Sequence, residues 1–191
     1  RGALFLQPAG TGWTGHTFRG VALQTRGGLT RAWSNLRSRG DTLIQPLIIP
    51  HHALRVQGAP LHVATLRYVS IRNPSYDRFR LAVLEFPHVD ETGEIRGFKK
   101  ADVDLVTGEI RLGPEVALSP WPAGVPQHIP QWSKIRSVSD ELHHRHVDLW
   151  AVGWDWALGQ DGPKLLEGNR SFGLDALQEF RILDLAQEVV R

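Results

Sequence analysis

Small and bulky residues alternate with period two over residues 151–158, with one carboxylate on the small side. On a strand this places Val152, Trp154, Trp156 and Leu158 on one face, and Ala151, Gly153, Asp155 and Ala157 on the other. Residues 159–163, Gly-Gln-Asp-Gly-Pro, carry turn chemistry, so a second strand running through Glu167 to Asn169 completes a hairpin. The bulky face asks for a core; the other surrounds a carboxylate with small side chains. Similar patterns predict short strands at 3–7 and 42–45, a strand at 16–24, a long one at 62–72 and its neighbour at 79–86. Turn signals at 90–93 and 107–108 predict a further hairpin within 97–112. Helical spacing marks 29–37, the run through Trp132, Ile135, Val138 and Leu142, and a final helix containing Leu174 and Leu177. The proline-rich stretch 114–130 reads as a loop. The fold class expected is α+β, an antiparallel β-sheet flanked by helices.

The hairpin brings chemistry together. If it is symmetric about Asp161, Asp155 lies directly across from Glu167, with Asn169 on the same face roughly 7 Å further along. Like charges directly opposite each other destabilise a sheet, so this pairing invites a compensating cation. Two carboxylates and an amide are hard oxygen donors, suited to Mg²⁺ held jointly with substrate phosphates. The alternative is that both acids point into water and Asn169 starts the next turn.

Composition narrows the classes. The chain has 191 residues, enough for one domain, or for a domain with a fragment of another, and for a sizeable core. Its formal net charge is +2, mostly from arginines spread along the chain, without the basic blocks or aromatic interleaving that mark nucleic-acid binding. No apolar run is long enough to span a membrane as a helix, and no signal-peptide pattern is present. Absence of cysteine removes disulfides and thiolate metal sites, and fits a reducing, cytoplasmic setting. A methionine-free chain opening Arg1-Gly-Ala is expected to be a cut or processed piece. The histidines at 143, 144 and 146 sit at a helix end, which the dipole favours, whereas zinc needs three or four donors meeting at one point.

The ordered series Gly-Trp-Asp155, Gly162-Pro-Lys-Leu-Leu-Glu167-Gly-Asn169 and Gly173-Leu-Asp-Ala-Leu-Gln178 resembles the C-terminal metal-binding signature of the ATP-grasp superfamily. More narrowly, it is similar to the sugar-transfer-associated group found near polysaccharide genes. Upstream, Thr65-Leu-Arg67, Val103-Asp-Leu-Val-Thr-Gly108 and Ile129-Pro-Gln-Trp132 resemble that group's strand, turn and helix-opening motifs, and Leu43-Ile-Gln45 its adenine-contacting segment. The resemblance implies ATP and Mg²⁺ as cofactors, with Asp155, Glu167 and Asn169 as metal ligands and Arg67 as the catalytic residue steadying the transferred phosphoryl group. It assigns nucleotide contacts to Gln45, to Gln7 where family members usually carry lysine, and to the glycine-rich loop of Gly10, Gly12 and Gly15. Residues 1–40 would form part of a lid, and 41–191 the C-terminal subdomain. The implied activity is a ligase that activates a carboxylate as an acyl phosphate for attack by an amine or other nucleophile, in polysaccharide or cell-surface metabolism. The acceptor, a small or sugar-linked molecule, is not specified. Gln7, and the lack of the family's glycine-rich substrate segment after Arg67, motivate an alternative: a nucleotide-binding relative without turnover, acting in regulation or assembly. A carbohydrate-binding domain using exposed tryptophans is a third possibility.

Overall fold

The computed structural model describes residues 4–8, 42–46, 48–55, 63–73, 76–89, 95–111 and 126–170. The expected strand at 16–24, the helix at 29–37, the glycine loop with Gly10, Gly12 and Gly15, and the final helix lie outside them. The chain divides into two compact units, Arg1–Ile48 and Ile49–Arg191. In the first, β1 (Leu4–Pro8) and β2 (Thr42–Pro46) form an antiparallel pair.

The second unit is an antiparallel sheet on which a helix packs. Its strands are β3 (Thr65–Asn73), β4 (Tyr76–Val89), β5 (Ile95–Val103), β6 (Ile110–Arg111), β7 (Ala151–Gly159) and β8 (Gly162–Asn169), in the spatial order β6-β5-β4-β3-β7-β8. The helix α1 (Trp132–Arg145) packs on β3 and β7. The α+β expectation holds for this unit. The strand expected at 62–72 begins later, at Thr65, and ends one residue on, whereas the one expected at 79–86 extends at both ends, its start paired with β3 and its end with β5.

The core lies between α1 and one face of the sheet. Leu66 and Tyr68 from β3, Leu84 and Phe86 from β4, and Trp154 and Trp156 from β7 all lie there, with Ile135 of the helix. Burying one such side chain contributes about 1.5–3 kcal/mol. Polar atoms carried into this layer are paired across it. Tyr68 donates its hydroxyl to Asp140 Oδ1 (2.9 Å), Trp156 Nε1 donates to Ser139 Oγ (3.0 Å), and Trp154 Nε1 donates to Ser70 Oγ (3.1 Å). An indole N–H left unpaired there would cost about 1–3 kcal/mol. The bonds to Asp140 and Ser139 fix where the helix sits on the sheet, and the bond to Ser70 ties β7 to β3.

Both ends of α1 are tied to the sheet unit. At its start, Gln131 adopts a left-handed conformation (φ 55°) and Trp132 Nε1 donates to the Leu105 carbonyl in the β5–β6 turn. At its end, Arg72 of β3 donates to the carbonyls of His143, His144 and Val147, placing a cation on the negative end of the helix dipole. The buried His143 reaches the Leu149 carbonyl through Nε2 (2.9 Å), so that ring nitrogen carries the proton.

The opposite face of the sheet changes character along β3. Val69 and Ile71, with Leu81 and Val83 of β4, form a second buried apolar cluster, whereas Arg67 marks where polar residues begin. Burial on both faces explains why alternation through 65–71 leaves the inner side of that strand ambiguous. It also sets a charged group beside a dry region.

Candidate functional site

The site starts from the β7–β8 hairpin. Its turn is tighter than the expected five-residue loop: only Gln160 and Asp161 lie between the paired Gly159 and Gly162. Gly162 has φ 103°, a conformation that glycine adopts freely. A two-residue turn alone would place Asp155 opposite Leu166. The register shifts between Trp156 and Asp155 instead: Trp156 pairs with Leu165, Asp155 with Glu167, and Leu166 is the extra residue. This bulge reverses the phase of the strand. Glu167 and Asn169 therefore share the face of Asp155, and Gly168 sits opposite Trp154. The expected pairing is present, produced by a short turn and a bulge rather than by symmetry about Asp161.

Beside this pair runs β3, where Arg67 is the direct neighbour of Asp155 on the side away from Glu167. The guanidinium grips the carboxylate with two bonds, Nε to Oδ1 at 2.7 Å and Nη2 to Oδ2 at 2.8 Å. Their side chains are only 24% and 14% exposed. This is the planar two-point match in which arginine–carboxylate bonds are strongest. The compensating cation that the opposed acids call for is thus supplied by the chain itself. Asn169 completes the cluster, its Nδ2 donating to Asp155 Oδ2 (3.2 Å) and Glu167 Oε1 (2.9 Å). One atom therefore stands within hydrogen-bond reach of both carboxylates.

Electrostatics follow from this packing. The hydrogen bond to Asp155 raises the Arg67 pKa, opposed by desolvation and aided by the charges of Asp155, Glu85 and Glu167. Sequence reasoning missed Glu85. It lies on β4 opposite Thr65, hence on the face of Arg67, and pairs in register with Lys100 of β5. Its signal was visible as the one charged residue in the run Leu81-Ala-Val-Leu-Glu85-Phe86. What stayed hidden was that this strand lies next to β3, and β3 next to β7. Sheet order is not local information.

The remaining expected residues belong elsewhere. Gln7 pairs in register with Leu43, and Gln45 with Phe5, in the β1–β2 pair of the first unit. The structure thus assembles Arg67, Asp155, Glu167 and Asn169 into one cluster, while Gln7 and Gln45 share a separate ladder.

The donor set suits a hard divalent cation in type: two carboxylates, and an amide whose oxygen replaces its nitrogen on a half-turn about the last side-chain bond. Among the described residues no cluster of three or more His, Cys, Asp or Glu side chains is placed to hold a metal ion, so a cation here would depend on Asn169 and on oxygens from a bound ligand. Two further residues of the motifs have structural work. Asp104 closes the β5–β6 turn by accepting from the Val106 and Thr107 amides, the Thr107 hydroxyl and Arg111. Gly108 (φ 75°) lies under Trp132, where a Cβ would fall 2.5 Å from the indole. Compared with known proteins, the chain matches no family model, no curated sequence and no solved structure.

Proposed function

We propose that the Arg67–Asp155–Glu167–Asn169 cluster binds a magnesium–nucleotide complex of the ATP-grasp kind, and that the chain serves ATP-dependent activation of a carboxylate. The observation that carries this reading is the convergence of Asp155, Glu167 and Asn169, with the Asn169 amide within 3.2 and 2.9 Å of the two carboxylates, beside a partly exposed guanidinium. Mg²⁺ prefers a few protein oxygens plus phosphate oxygens to an all-protein cage, which is what two acids and one amide offer. Asp155 and Glu167 would hold the cation, with Asn169 presenting its amide oxygen. Bound there, the cation neutralises phosphate charge. Arg67, one strand away, would steady the transferred phosphoryl group. A substrate carboxylate would attack the terminal phosphorus of ATP, giving an acyl phosphate as ADP leaves, and an amine or other nucleophile would then displace phosphate. Gln7 and Gln45 are assigned to the nucleotide by resemblance.

A second reading keeps nucleotide binding but not turnover. It is favoured by the engagement of both Asp155 oxygens by Arg67 and by Gln7, which brings no charge where the family usually has lysine. Calorimetric titration with Mg-ATP, run alongside phosphate release with candidate carboxylates and amines, separates the two. Binding without release supports the second reading, and no binding removes both. Glu167→Gln is expected to weaken magnesium-dependent nucleotide binding by about tenfold or more, the scale on which groups around a metal act, with an unchanged circular dichroism spectrum. Equal affinity in wild type and variant would remove Glu167 from the site.

A further inference from the structure

Resting on the magnesium–nucleotide reading, we propose that Arg67 is a latch on the cation site: its two-point grip on Asp155 must open for a divalent cation to bind that carboxylate. Both Asp155 oxygens accept from one guanidinium, at 2.7 and 2.8 Å, and one of them also accepts from Asn169. Asn169 in turn presents its nitrogen, a donor, to both acids, so its oxygen would have to take that place to ligate a cation. A divalent ion and a guanidinium on the same two oxygens repel each other strongly at partial burial. Cation binding therefore requires two coordinated changes, the half-turn of the Asn169 amide and the withdrawal of Arg67.

The surroundings give Arg67 somewhere to go. Glu85, on the same sheet face, is close enough for its charge to act on the guanidinium, so a withdrawn Arg67 keeps an acidic neighbour. At 24% exposed, its side chain also retains a path to solvent and to a ligand's phosphates. Release from Asp155 and engagement of phosphate thus become one movement. The coupling has a sign: cation alone competes with Arg67, whereas cation together with phosphate gains from the arginine it frees. Affinity for free divalent cation is held down until a nucleotide is present.

The test titrates Mn²⁺ alone, by the electron paramagnetic resonance of the free ion, into nucleotide-free wild type, Arg67→Lys and Asp155→Asn. Lysine keeps the charge but loses the two-point grip. Mn²⁺ affinity is expected to rise about tenfold in Arg67→Lys, within the range of ordinary coupling between sites, and to fall in Asp155→Asn. A lysine variant binding Mn²⁺ no better than wild type, in a protein where Asp155→Asn still abolishes binding, overturns the latch and leaves the cation site standing. Absence of any Asp155-dependent Mn²⁺ binding in all three proteins overturns both. Wild-type protein supplies an independent readout that needs no variant to fold. The ¹⁵N-edited signal of the Arg67 Nε–H, protected while bonded to Asp155, is expected to shift and exchange faster on saturation with Mg²⁺. An unmoved signal at saturation also overturns the proposal.

Discussion

Gly168 faces the ring of Trp154, and a Cβ built there would lie 2.6 Å from Cζ3 and 2.9 Å from Cε3. The indole is clamped in the core and bonded to Ser70, so it has no flexible end to move aside. Gly168→Ala is expected to destabilise the fold by about 1–3 kcal/mol, the usual cost of overpacking, as measured by chemical denaturation. Because Gly168 sits between Glu167 and Asn169, the same change should disturb the cluster, whereas a variant of wild-type stability would show that the strand yields. Asp104 offers a test by pH. Its pKa is lowered from 3.8, first by the Thr107 amide and hydroxyl, then by the Val106 amide and Arg111. A depressed carboxylate contributes stability that is present above its unfolded value and lost as pH falls through the folded one. The stability advantage of wild type over Asp104→Asn is therefore expected above about pH 5 and should shrink steadily below 3.8. An advantage independent of pH would mean that the turn does not need the charge.

At the scale of elements, the β7–β8 hairpin shows how a sequence can be legible in outcome and not in means. Alternation placed Val152, Trp154, Trp156 and Leu158 on the inner face, and all four are buried there. Symmetry about Asp161 put Asp155 opposite Glu167; the register has that pair, but through a shorter turn and a bulge. Nothing in the pattern marked Leu166 as the surplus residue, because Leu165 and Leu166 are equally apolar and both are substantially exposed, at 37% and 44%. Bulges arise from how turn length and face preference are reconciled, and that is settled only when the strand pairs. Here Gly168 must meet Trp154 and the acids must meet each other, so one residue is expelled. If so, deleting Leu166 should leave a continuous ladder with Trp156 still opposite Leu165 and Asp155 still opposite Glu167. Divalent-dependent nucleotide affinity is expected to stay within about threefold of wild type, below about 1 kcal/mol. Loss of binding with the fold retained would show that the bend itself, and not only the pairing, shapes the site.

For the molecule as a whole, the strands and the central helix of Ile49–Arg191 were readable because each carries its own periodicity or is flagged by a turn signal, whereas the order β6-β5-β4-β3-β7-β8 was not. The cluster inherits that limit. Asp155, Glu167 and Asn169 lie within 14 positions of one another, and a hairpin joins them; Arg67 meets Asp155 across 88 positions of sequence. That long-range pairing changes what the acids are, from a bare pair awaiting a cation to a pair already half neutralised. The division of the chain also makes a prediction about where affinity resides. Helix, sheet and all four cluster residues belong to Ile49–Arg191, while Gln7 and Gln45 belong to Arg1–Ile48. A protein made of residues 49–191 alone should therefore unfold cooperatively and bind Mn²⁺ as the full chain does. If both glutamines reach the nucleotide, its affinity for Mg-ATP should drop about tenfold for each uncharged hydrogen bond removed, about 1.4 kcal/mol apiece. Equal Mg-ATP affinity in the two proteins would confine recognition to the phosphates and the cation, and would strip Gln7 and Gln45 of their assigned roles. Failure of the shorter protein to fold would show that Arg1–Ile48 stabilises the sheet unit, and the same comparison would then pass to Gln7→Ala and Gln45→Ala in the full chain.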